Sequence, residues 1–331
     1  MVSHLRDLAK EISLTIESRK NKRVLDIGAN DGTLLKYIDK DIYRVGVEPA
    51  TNLQKDLINN CDLAVKELWT RSLAKELILK TDKFDVITAI GMFYDLDDPI
   101  DFLTGVWEAL KDDGIFVAQL MCMDNMLKTN DLGNICHEHI EFYSLKSLEY
   151  LFRSSKLCID KIETNNVNGQ SYRIYASKKT SKEFELPYEI FNQINNEKID
   201  INSFKKNIEY SKNKVTKFIK SKSLEGKVTA AFGASTKGNA ILQYFELTSE
   251  DIPFAVDRAP WKENLYTIGS WIPIKFEEDP TRFQADYYLV LPWGFIDEFI
   301  LREEKFLDAG GKFIVPFPVP RIIDKSGETL L

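Results

Sequence analysis

The stretch Val24-Leu25-Asp26-Ile27-Gly28-Ala29-Asn30-Asp31-Gly32 decides the fold of the first half of the chain. We predict a short buried strand over Arg23–Ile27, a tight turn at the glycines, and a helix that begins with Thr33–Ile38. A glycine turn between a strand and a helix lets a ligand approach the backbone where a side chain would block it. This arrangement is typical of nucleoside-binding turns in parallel α/β sheets.

The spacing around this turn favours S-adenosylmethionine over a dinucleotide. Glu48 ends the next strand, about twenty residues on, where a carboxylate accepts hydrogen bonds from both ribose hydroxyls. A dinucleotide site needs the GxGxxG pattern, but Asn30 takes the middle position and no third glycine follows in register. Asp26, just before the turn, suits a ligand with ammonium and sulfonium charges. The predicted S-adenosylmethionine site consists of Asp26, Gly28, Asn30, Asp31, Gly32 and Glu48.

Strand-like and helix-like segments alternate on both sides of a polar, Lys- and Asn-rich central part of the chain. This alternation predicts an α/β protein with two Rossmann-like lobes joined by helices. The predicted domains are a first lobe over 1–186, a helical connector over 187–227 and a smaller C-terminal lobe over 228–331. Strands are predicted at Arg23–Ile27, Tyr43–Val47, Phe84–Ala89 and Gly114–Gln119, and helices at Lys237–Phe245 and Ile296–Leu307.

The composition excludes several classes of protein. The chain has 331 residues, is 44% hydrophobic and carries a net charge of −7, so it lacks the cationic excess of general nucleic-acid binders. Neither a signal peptide nor an apolar membrane segment is evident. Its four cysteines are widely spaced and form no CxxC pair, which is typical of reduced thiols. We expect a soluble, cytoplasmic protein that acts on a small molecule; the sequence leaves monomer and homo-oligomer open.

The glycine turn contains no candidate general base, but the run Ile135-Cys136-His137-Glu138-His139 does. Two of the three histidines in the chain lie here, on either side of a carboxylate. Imidazole titrates near neutral pH and is the usual positioned base, and the carboxylate can orient its ring. Zinc ligation with a distant cysteine and ordinary loop hydrogen bonding remain alternatives, although HEH is not the HExxH pair of zinc enzymes. The spacing alone does not choose between His139 and His137 as the base.

The chain resembles the sugar C-methyltransferases, which use S-adenosylmethionine and act on nucleotide-linked keto-deoxysugars. The resemblance covers roughly residues 20–323 in an unchanged order. It implies that the first lobe binds the methyl donor, that the second lobe helps to hold the nucleotide sugar, and that the second histidine of the HEH run, His139, is the base. It rests on VLDIGANDGTLL, GVEP, MFYDLDDPIDFL, ICHEHIEFYSL, VNGQSYRIYAS, AAFGASTKGNAILQYF, DRAPWKENLYTIGSWIPI and LVLPWGF.

These residues suggest a mechanism and an acceptor site. For carbon methylation beside a ketone, a base removes the α-proton and a hydrogen-bond donor stabilises the enolate oxygen. His139 is then the base, with Glu138 and His137 as orienting or enolate-binding partners, and no metal is expected. In the second lobe, the turn that follows a strand at Gly233 offers backbone amides for a diphosphate. The predicted acceptor-binding residues are Cys136, Arg173, Ser235 and Lys237.

The sequence departs from the family in ways that leave the acceptor open. Many members begin with a cysteine-ligated zinc module, whereas none of the four cysteines here precedes Cys61. Cys136 stands where well-known members have tyrosine, which is the stronger donor. The usual GGS run begins here as Gly169-Gln170, and a usual proline is Ile268. Methylation of an oxygen by the same base, a non-catalytic S-adenosylmethionine-binding protein and a nicotinamide oxidoreductase remain the alternatives.

Overall fold

The computed structural model describes residues 2–165, 167, 170–178 and 186–331, without the side chain of Phe283. Gly169 of the predicted family motif lies outside these residues. The described chain divides into two compact units, the first within Met1–Met123 and Ile140–Lys198 and the second within Asp124–His139 and Ile199–Leu331. The HEH run therefore groups with the C-terminal part of the chain, although the sequence places it within the predicted first lobe.

The elements alternate along the chain as the sequence predicts for an α/β protein. The strands are β1 (Arg23–Ile27), β2 (Tyr43–Val47), β3 (Leu63–Val65), β4 (Phe84–Ile90), β5 (Leu110–Met121), β6 (Leu157–Asn165), β7 (Ser171–Lys178), β8 (Thr229–Phe232), β9 (Ala255–Asp257), β10 (Ile274–Phe276), β11 (Tyr287–Val290), β12 (Lys312–Val315), β13 (Arg321–Asp324) and β14 (Gly327–Leu330). The helices are α1 (Val2–Thr15), α2 (Thr33–Lys36), α3 (Gln54–Asn60), α4 (Arg71–Thr81), α5 (Pro99–Ala109), α6 (Met123–Lys128), α7 (Leu145–Ser154), α8 (Tyr188–Asn196), α9 (Ile201–Leu224), α10 (Thr236–Tyr244), α11 (Ile296–Arg302) and α12 (Glu304–Asp308).

The first unit is built on a seven-stranded sheet in the order β3-β2-β1-β4-β5-β7-β6. The first five strands of this order are parallel, and β7 runs antiparallel to both β5 and β6. Helices cover both faces, so all but one residue in each of β1 and β4 is buried. The strand order reverses between β1 and β4. A ligand crevice is expected at the carboxyl ends of these two strands, where the Gly28 turn lies.

Amphipathic helices complete the core of the first unit. The apolar residues of α1 recur at helical spacing, and Leu8 and Ile12 are buried against β1. On the other face, α4, α5 and α7 pack over an aromatic cluster centred on Phe93, Phe102 and Phe116. Thr70 and Asp98 cap the N-termini of α4 and α5 by accepting hydrogen bonds from backbone amides in the first turn.

The second unit repeats the parallel arrangement in a second seven-stranded sheet, ordered β10-β9-β8-β11-β12-β13-β14. Five strands are parallel, and β13 and β14 add an antiparallel hairpin at one edge. The predicted helical connector contains α8, which belongs to the first unit, and α9, which belongs to the second and buries Phe204, Ile208 and Val215. Both units are therefore α/β, as predicted.

The predicted helix over Ile296–Leu307 is interrupted in the structure. It forms α11 and α12, which meet at Glu303. This carboxylate is 4% exposed and pairs with Arg282 at 2.7 Å and with Arg302 at 3.1 Å. The ion pairs hold Glu303 at the break between the two helices. Among the described residues, every helix is too short or too polar to cross a lipid bilayer.

Candidate active site

The predicted donor turn joins β1 to α2 at the carboxyl edge of the first sheet. Gly28 has a φ of 71°, in the left-handed region that favours glycine, and its N–H donates to the carbonyl of Val47 at 2.9 Å. A Cβ on Gly28 would lie 2.9 Å from Cγ of Met92, which follows β4. The turn therefore requires glycine both for its backbone conformation and for its close neighbour. Met92 was not identified from the sequence, because only the fold brings it to this turn.

Glu48, at the end of β2, is held by two backbone amides of the same edge. Asn30 N–H donates to one carboxylate oxygen at 3.0 Å and Ala50 N–H donates to the other at 2.9 Å. The side chain is 8% exposed. Each carboxylate oxygen has further acceptor capacity, so this fixed orientation suits the two ribose hydroxyls of an adenosine. The structure thus brings Glu48, Asn30 and Gly28 together as predicted.

Asp26 is buried below the turn, and its nearest partner is a hydroxyl of β4. Thr88 Oγ1 donates to its carboxylate at 2.6 Å. Burial raises the pKa of Asp26 to about 7; the Thr88 hydrogen bond opposes this rise and the negative charge of Glu48 adds to it. A cationic ligand would favour the ionised form. Thr88 is thus a further residue at this proposed site, and its sequence signal is the single hydroxyl side chain in β4.

Asp31 and Gly32 have a structural part in the turn. One Asp31 carboxylate oxygen accepts hydrogen bonds from the backbone and the hydroxyl of Thr33, at 2.9 and 2.6 Å, at the start of α2. Gly32 has a φ of 76°, and a Cβ there would lie 2.8 Å from Cβ of Asn60. Both residues therefore shape the entry into α2. Their predicted contact with S-adenosylmethionine stays a prediction.

We expect the binding of S-adenosylmethionine to depend on the protonation of Asp26. Its pKa is about 7 against an ordinary value of 3.8, so the protonated form predominates below neutral pH. A bound ammonium or sulfonium charge favours the carboxylate, so affinity should rise as the pH passes from about 6 to 8, with release of up to one proton. The number of protons released on binding is measured by titration calorimetry in two buffers of different ionisation enthalpy.

The Asp26→Asn variant is the control, because asparagine cannot titrate. The variant should bind S-adenosylmethionine more weakly than the parent and release no proton on binding. If its affinity changed with pH as the affinity of the parent does, the assignment of Asp26 would be contradicted.

The raised pKa of Asp26 also determines how the stability of the folded protein depends on pH. Because the pKa of Asp26 is higher in the folded state than in the unfolded state, protonation of Asp26 stabilises the folded state. This contribution is fully present below pH 3.8 and is lost as the pH rises through about 7. The apoprotein of the variant should therefore lose less stability than the parent over the same range.

The second predicted group of residues lies in the segment Asp124–His139 of the second unit. Here His139 is half-buried, and its Nδ1 lies 2.9 Å from the backbone carbonyl oxygen of Asn134. A carbonyl only accepts, so the neutral ring carries its proton on Nδ1 and its lone pair on Nε2. Burial lowers the pKa of His139, and Lys237 lowers it further, against the Asn134 hydrogen bond and Glu138. The ring is therefore neutral and basic at neutral pH.

The other two residues of the HEH run differ from His139 in exposure. The side chains of His137 and Glu138 are 76% and 54% exposed, and His137 Nε2 lies 3.9 Å from the Glu138 carboxylate. The half-buried Cys136 accepts a hydrogen bond from the His139 backbone at 3.2 Å through its carbonyl oxygen. The geometry thus distinguishes two histidines that the spacing left equivalent. It favours His139, which the family resemblance also indicates.

The loop that precedes the HEH run packs on the first turn of α10. A short 3-10 helix, Leu132–Asn134, comes so close that a Cβ on Gly133 would lie 3.0 Å from Cβ of Lys237. Asn134 Nδ2 donates to the carboxylate of Asp131 at 2.7 Å, so a buried carboxylate positions the residue that orients His139. Asp131 and Asn134 were not singled out from the sequence. Lys237 and His139, predicted for separate reasons, thereby become neighbours.

The remaining predicted acceptor residues lie in different units. Ser235 caps α10 by accepting a hydrogen bond from Gly238 N–H at 3.1 Å, so it shares one helix start with Lys237. Arg173 lies on β7 in the first unit and is 9% exposed. Its guanidinium donates to Gln119 at 3.2 Å and lies 2.9 Å from His4 Nε2. The acceptor-binding role of these residues stays a prediction.

Two family profiles match the chain. One, described as a methyltransferase domain, matches residues 1–158, and the other, described as the C-methyltransferase C-terminal domain, matches residues 166–318. The chain is similar along its whole length to the C-methyltransferase NovU of Streptomyces niveus, with 29% identity over 339 residues, 100% of this chain and 80% of NovU. A tRNA U34 carboxymethyltransferase of Sulfurimonas denitrificans is 31% identical over 102 residues, 29% of this chain and 33% of that protein.

Solved structures resemble about half of the chain. The YcgJ protein of Bacillus subtilis has 18% identity and a TM-score of 0.42, and it covers 54% of this chain and 100% of its own. The plantazolicin methyltransferase BpumL, solved with SAH, has 14% identity and a TM-score of 0.39 over 53% of this chain and 82% of its own. The profiles confirm the predicted cofactor, S-adenosylmethionine. The chain is an S-adenosylmethionine-dependent methyltransferase, with a class I methyltransferase domain followed by a C-methyltransferase C-terminal domain.

Proposed function

We propose that this enzyme methylates a carbon beside the ketone of a nucleotide-linked deoxysugar, and that His139 is the general base. The observation that carries the proposal is the state of His139: a half-buried neutral ring whose Nδ1–H donates to the Asn134 carbonyl. That hydrogen bond leaves the basic lone pair on Nε2. A ring with a lowered pKa also stays unprotonated at neutral pH, as a base must before the reaction.

The donor residues position the methyl group and the acceptor residues generate a nucleophile. S-adenosylmethionine, when bound, would supply an electrophilic methyl group and leave as S-adenosylhomocysteine, which keeps the electron pair of the broken sulfur–methyl bond. Glu48 would hold the ribose, and Asp26 would favour the positive charges of this ligand. Nε2 of His139 takes the proton from the acceptor carbon, and the electron pair left behind forms the new carbon–carbon bond. The Asn134 carbonyl stabilises the resulting imidazolium through Nδ1–H, and the buried Asp131 holds Asn134 in place.

The start of α10 suits the diphosphate of a nucleotide sugar. Its first amides, the Ser235 cap and the Lys237 ammonium provide donors and positive charge at one place. Lys237 lies beside the loop that carries His139, since Gly133 packs against its Cβ. A sugar attached to that diphosphate would therefore lie near the base. His137 and Cys136, beside His139 in sequence, are the proposed donors to the enolate oxygen.

The profile match favours carbon over oxygen as the methylated atom, because its description names C-methyltransferases. The sugar acceptor rests on the resemblance of the sequence motifs. Product analysis tests both points. The enzyme is incubated with ¹³C-methyl S-adenosylmethionine and a panel of nucleotide-linked keto-deoxysugars whose rings are enriched in ¹³C. We expect one of these acceptors to gain a methyl group, and the ¹³C signal of that methyl group should be coupled to a neighbouring ring carbon. A methyl group attached to oxygen, or the absence of transfer to every member of the panel, would contradict the proposal.

A further inference from the structure

A hairpin in the second unit, Asn264–Ile274, is uncharged along its whole length and yet lies at the surface. These eleven consecutive residues contain no Asp, Glu, Lys or Arg, in a chain that is 29% charged. The uncharged run Gly114–Met123, by contrast, is largely buried as part of β5. Four apolar side chains of the hairpin are between 49% and 68% exposed, and we call them the hairpin patch: Leu265, Tyr266, Ile268 and Trp271.

Hydrogen bonds inside the hairpin fix its conformation. Tyr266 and Pro273 form an antiparallel bridge, and Thr267 N–H donates to the Ile272 carbonyl at 2.9 Å. Thr267 Oγ1 accepts a hydrogen bond from Ile272 N–H at 2.9 Å and lies 2.7 Å from the hydroxyl oxygen of Ser270. Both hydroxyl side chains are buried. The polar groups of the turn are therefore paired with one another, and the exposed part of the hairpin is apolar.

Helix α10 holds the tip of the hairpin. Gln243, on this helix, donates through Nε2 to the Ile268 carbonyl at 2.9 Å. Gly269 follows with a φ of 78°, and a Cβ there would lie 2.8 Å from Cδ of Gln243. The tip is thus in close contact with a helix of its own unit, and it presents its apolar side chains from a fixed backbone.

Trp271 has a backbone conformation that is unfavourable for a bulky residue. Its φ is 55°, in the left-handed region that favours glycine. The ring is 68% exposed, so burial within the chain does not compensate for the strain. Its nearest aromatic neighbour is Tyr266, with the ring centroids 6.5 Å apart and the planes tilted by 56°. Strained residues of this kind are concentrated at functional positions, and here the strain presents a pair of aromatic rings to solvent.

The hairpin patch has the size and composition of an interaction surface. An aromatic side chain buries about 150–250 Å², so the exposed parts of Tyr266 and Trp271 leave about 250 Å² of surface in water. With Leu265 and Ile268, the patch reaches the few hundred Å² that mark interaction sites on soluble proteins. Tyrosine and tryptophan are also enriched in the centres of protein interfaces. Because these side chains are too exposed to enclose a small molecule, the patch suits a macromolecular surface.

The absence of charge favours a second copy of this chain as the partner. Two copies each carry a net charge of −7 and repel one another at most orientations. At the uncharged hairpin they can meet without placing like charges opposite each other. An apolar patch is complementary to itself across a twofold axis, and twofold dimers are the commonest oligomers. A charged partner would instead require opposite charges on the hairpin, which has none.

We propose that the chain forms a twofold-symmetric homodimer through the hairpin patch. Tyr266 and Trp271 of one copy pack against the same two residues of its partner, and Ile268 lies beside them. The interface is smaller than the roughly 800 Å² per partner of stable complexes, so the dimer is reversible, with a dissociation constant in the micromolar range. The proposal uses none of the residues assigned to methyl transfer and is independent of the proposed function.

Sedimentation velocity on the full chain, from submicromolar to high micromolar concentrations, gives the first test. We expect the average mass to rise from that of one chain to that of two. Ile268→Asp should raise the dissociation constant on the order of 100-fold or more, because two carboxylates would then meet near the twofold axis. Leu79→Asp is the matched control. It places the same charge on another aliphatic residue, 88% exposed on α4, and should leave the dimer unchanged.

Trp271→Asn separates the loss of the interface from damage to the fold. Asparagine tolerates the left-handed conformation, so the thermal stability of the monomer should equal or exceed that of the parent. It is measured at submicromolar concentration, where dimerisation adds nothing to stability. The dissociation constant of this variant should rise on the order of 10-fold or more, as for the loss of a central aromatic residue. A parent that stays monomeric throughout, a folded variant of either kind that dimerises like the parent, or a dimer lost in Leu79→Asp would overturn the proposal.

Discussion

Replacing His139 by alanine is expected to lower turnover by roughly 10²–10⁴-fold, the usual contribution of a positioned general base. Nε2 of His139 carries the lone pair that is proposed to accept the proton, and an alanine side chain has no such atom. Affinity for S-adenosylmethionine should not change, because Asp26 and Glu48 belong to the first unit. In the parent enzyme, kcat/KM should fall on the acid side at a pH below 6.5, since burial lowers the pKa of His139 from that value.

His137→Ala is the matched control for this prediction. It removes the same imidazole two residues away, from a side chain that is 76% exposed. Its effect on turnover should be clearly smaller than that of His139→Ala. Steady-state kinetics measure both variants, and calorimetry with S-adenosylmethionine checks that the donor site is intact. Near wild-type turnover in His139→Ala would assign the base to another residue.

Replacing Gly28 by valine is expected to weaken S-adenosylmethionine binding on the order of 100-fold or more. At a φ of 71° a branched side chain is strained, and its Cβ would lie 2.9 Å from Cγ of Met92. Relief of this contact moves the turn, and with it the Asn30 amide that holds the Glu48 carboxylate at 3.0 Å. A misaligned charge-assisted hydrogen bond costs about 1.5–3 kcal/mol, and the displaced turn adds to that.

Gly226→Val separates backbone strain from the ligand site. Gly226 has nearly the same φ, 76°, and a Cβ there would meet nothing within 4 Å. This variant should lose a similar amount of stability to left-handed strain, about 1–2 kcal/mol, yet bind S-adenosylmethionine as the parent does. Thermal unfolding and calorimetry on both variants give the comparison. A folded Gly28→Val protein with parental affinity would remove the donor site from this turn.

Much of the first sheet follows directly from local sequence. Strands β1 and β2 have the predicted bounds, because each is an apolar run that ends at a turn signal. Strand β5 starts at Leu110, four residues before the predicted Gly114, because Leu110 pairs with Phe84 across a local shift in register. Such a pairing depends on the neighbouring strand, so the run of residues alone does not show it.

Strands β6, β7 and the C-terminal hairpin were not predicted. Strand β7 carries Ser171 and Arg173, two buried polar residues that break the apolar pattern expected of a buried strand. Its antiparallel partner β5 lies far upstream in the sequence. Hairpin β13–β14 ends on a wholly exposed strand with little hydrophobic signal. These elements are fixed by tertiary pairing and were beyond a local pattern.

The turn proposed to bind the methyl donor was predictable from residues that are close in sequence, whereas the surroundings of the proposed base were not. Asn130, eight residues before Glu138, donates to the carbonyl of Pro318, 188 residues away, and so joins the HEH segment to the C-terminal part of the chain. The choice of His139 depends on a hydrogen bond to the backbone of Asn134, whose carbonyl direction has no signature in the residue types. Spacing alone therefore left the two histidines equivalent.

Proton exchange at the acceptor carbon tests the role of His139 most directly. The enzyme is incubated in deuterated water with S-adenosylhomocysteine and the keto-sugar acceptor identified by product analysis, and the α-proton is followed by NMR. The wild-type protein is predicted to replace that proton with deuterium, and His139→Ala is predicted to do so no faster than the uncatalysed solution. Exchange by His139→Ala at the wild-type rate would contradict the assignment of the base.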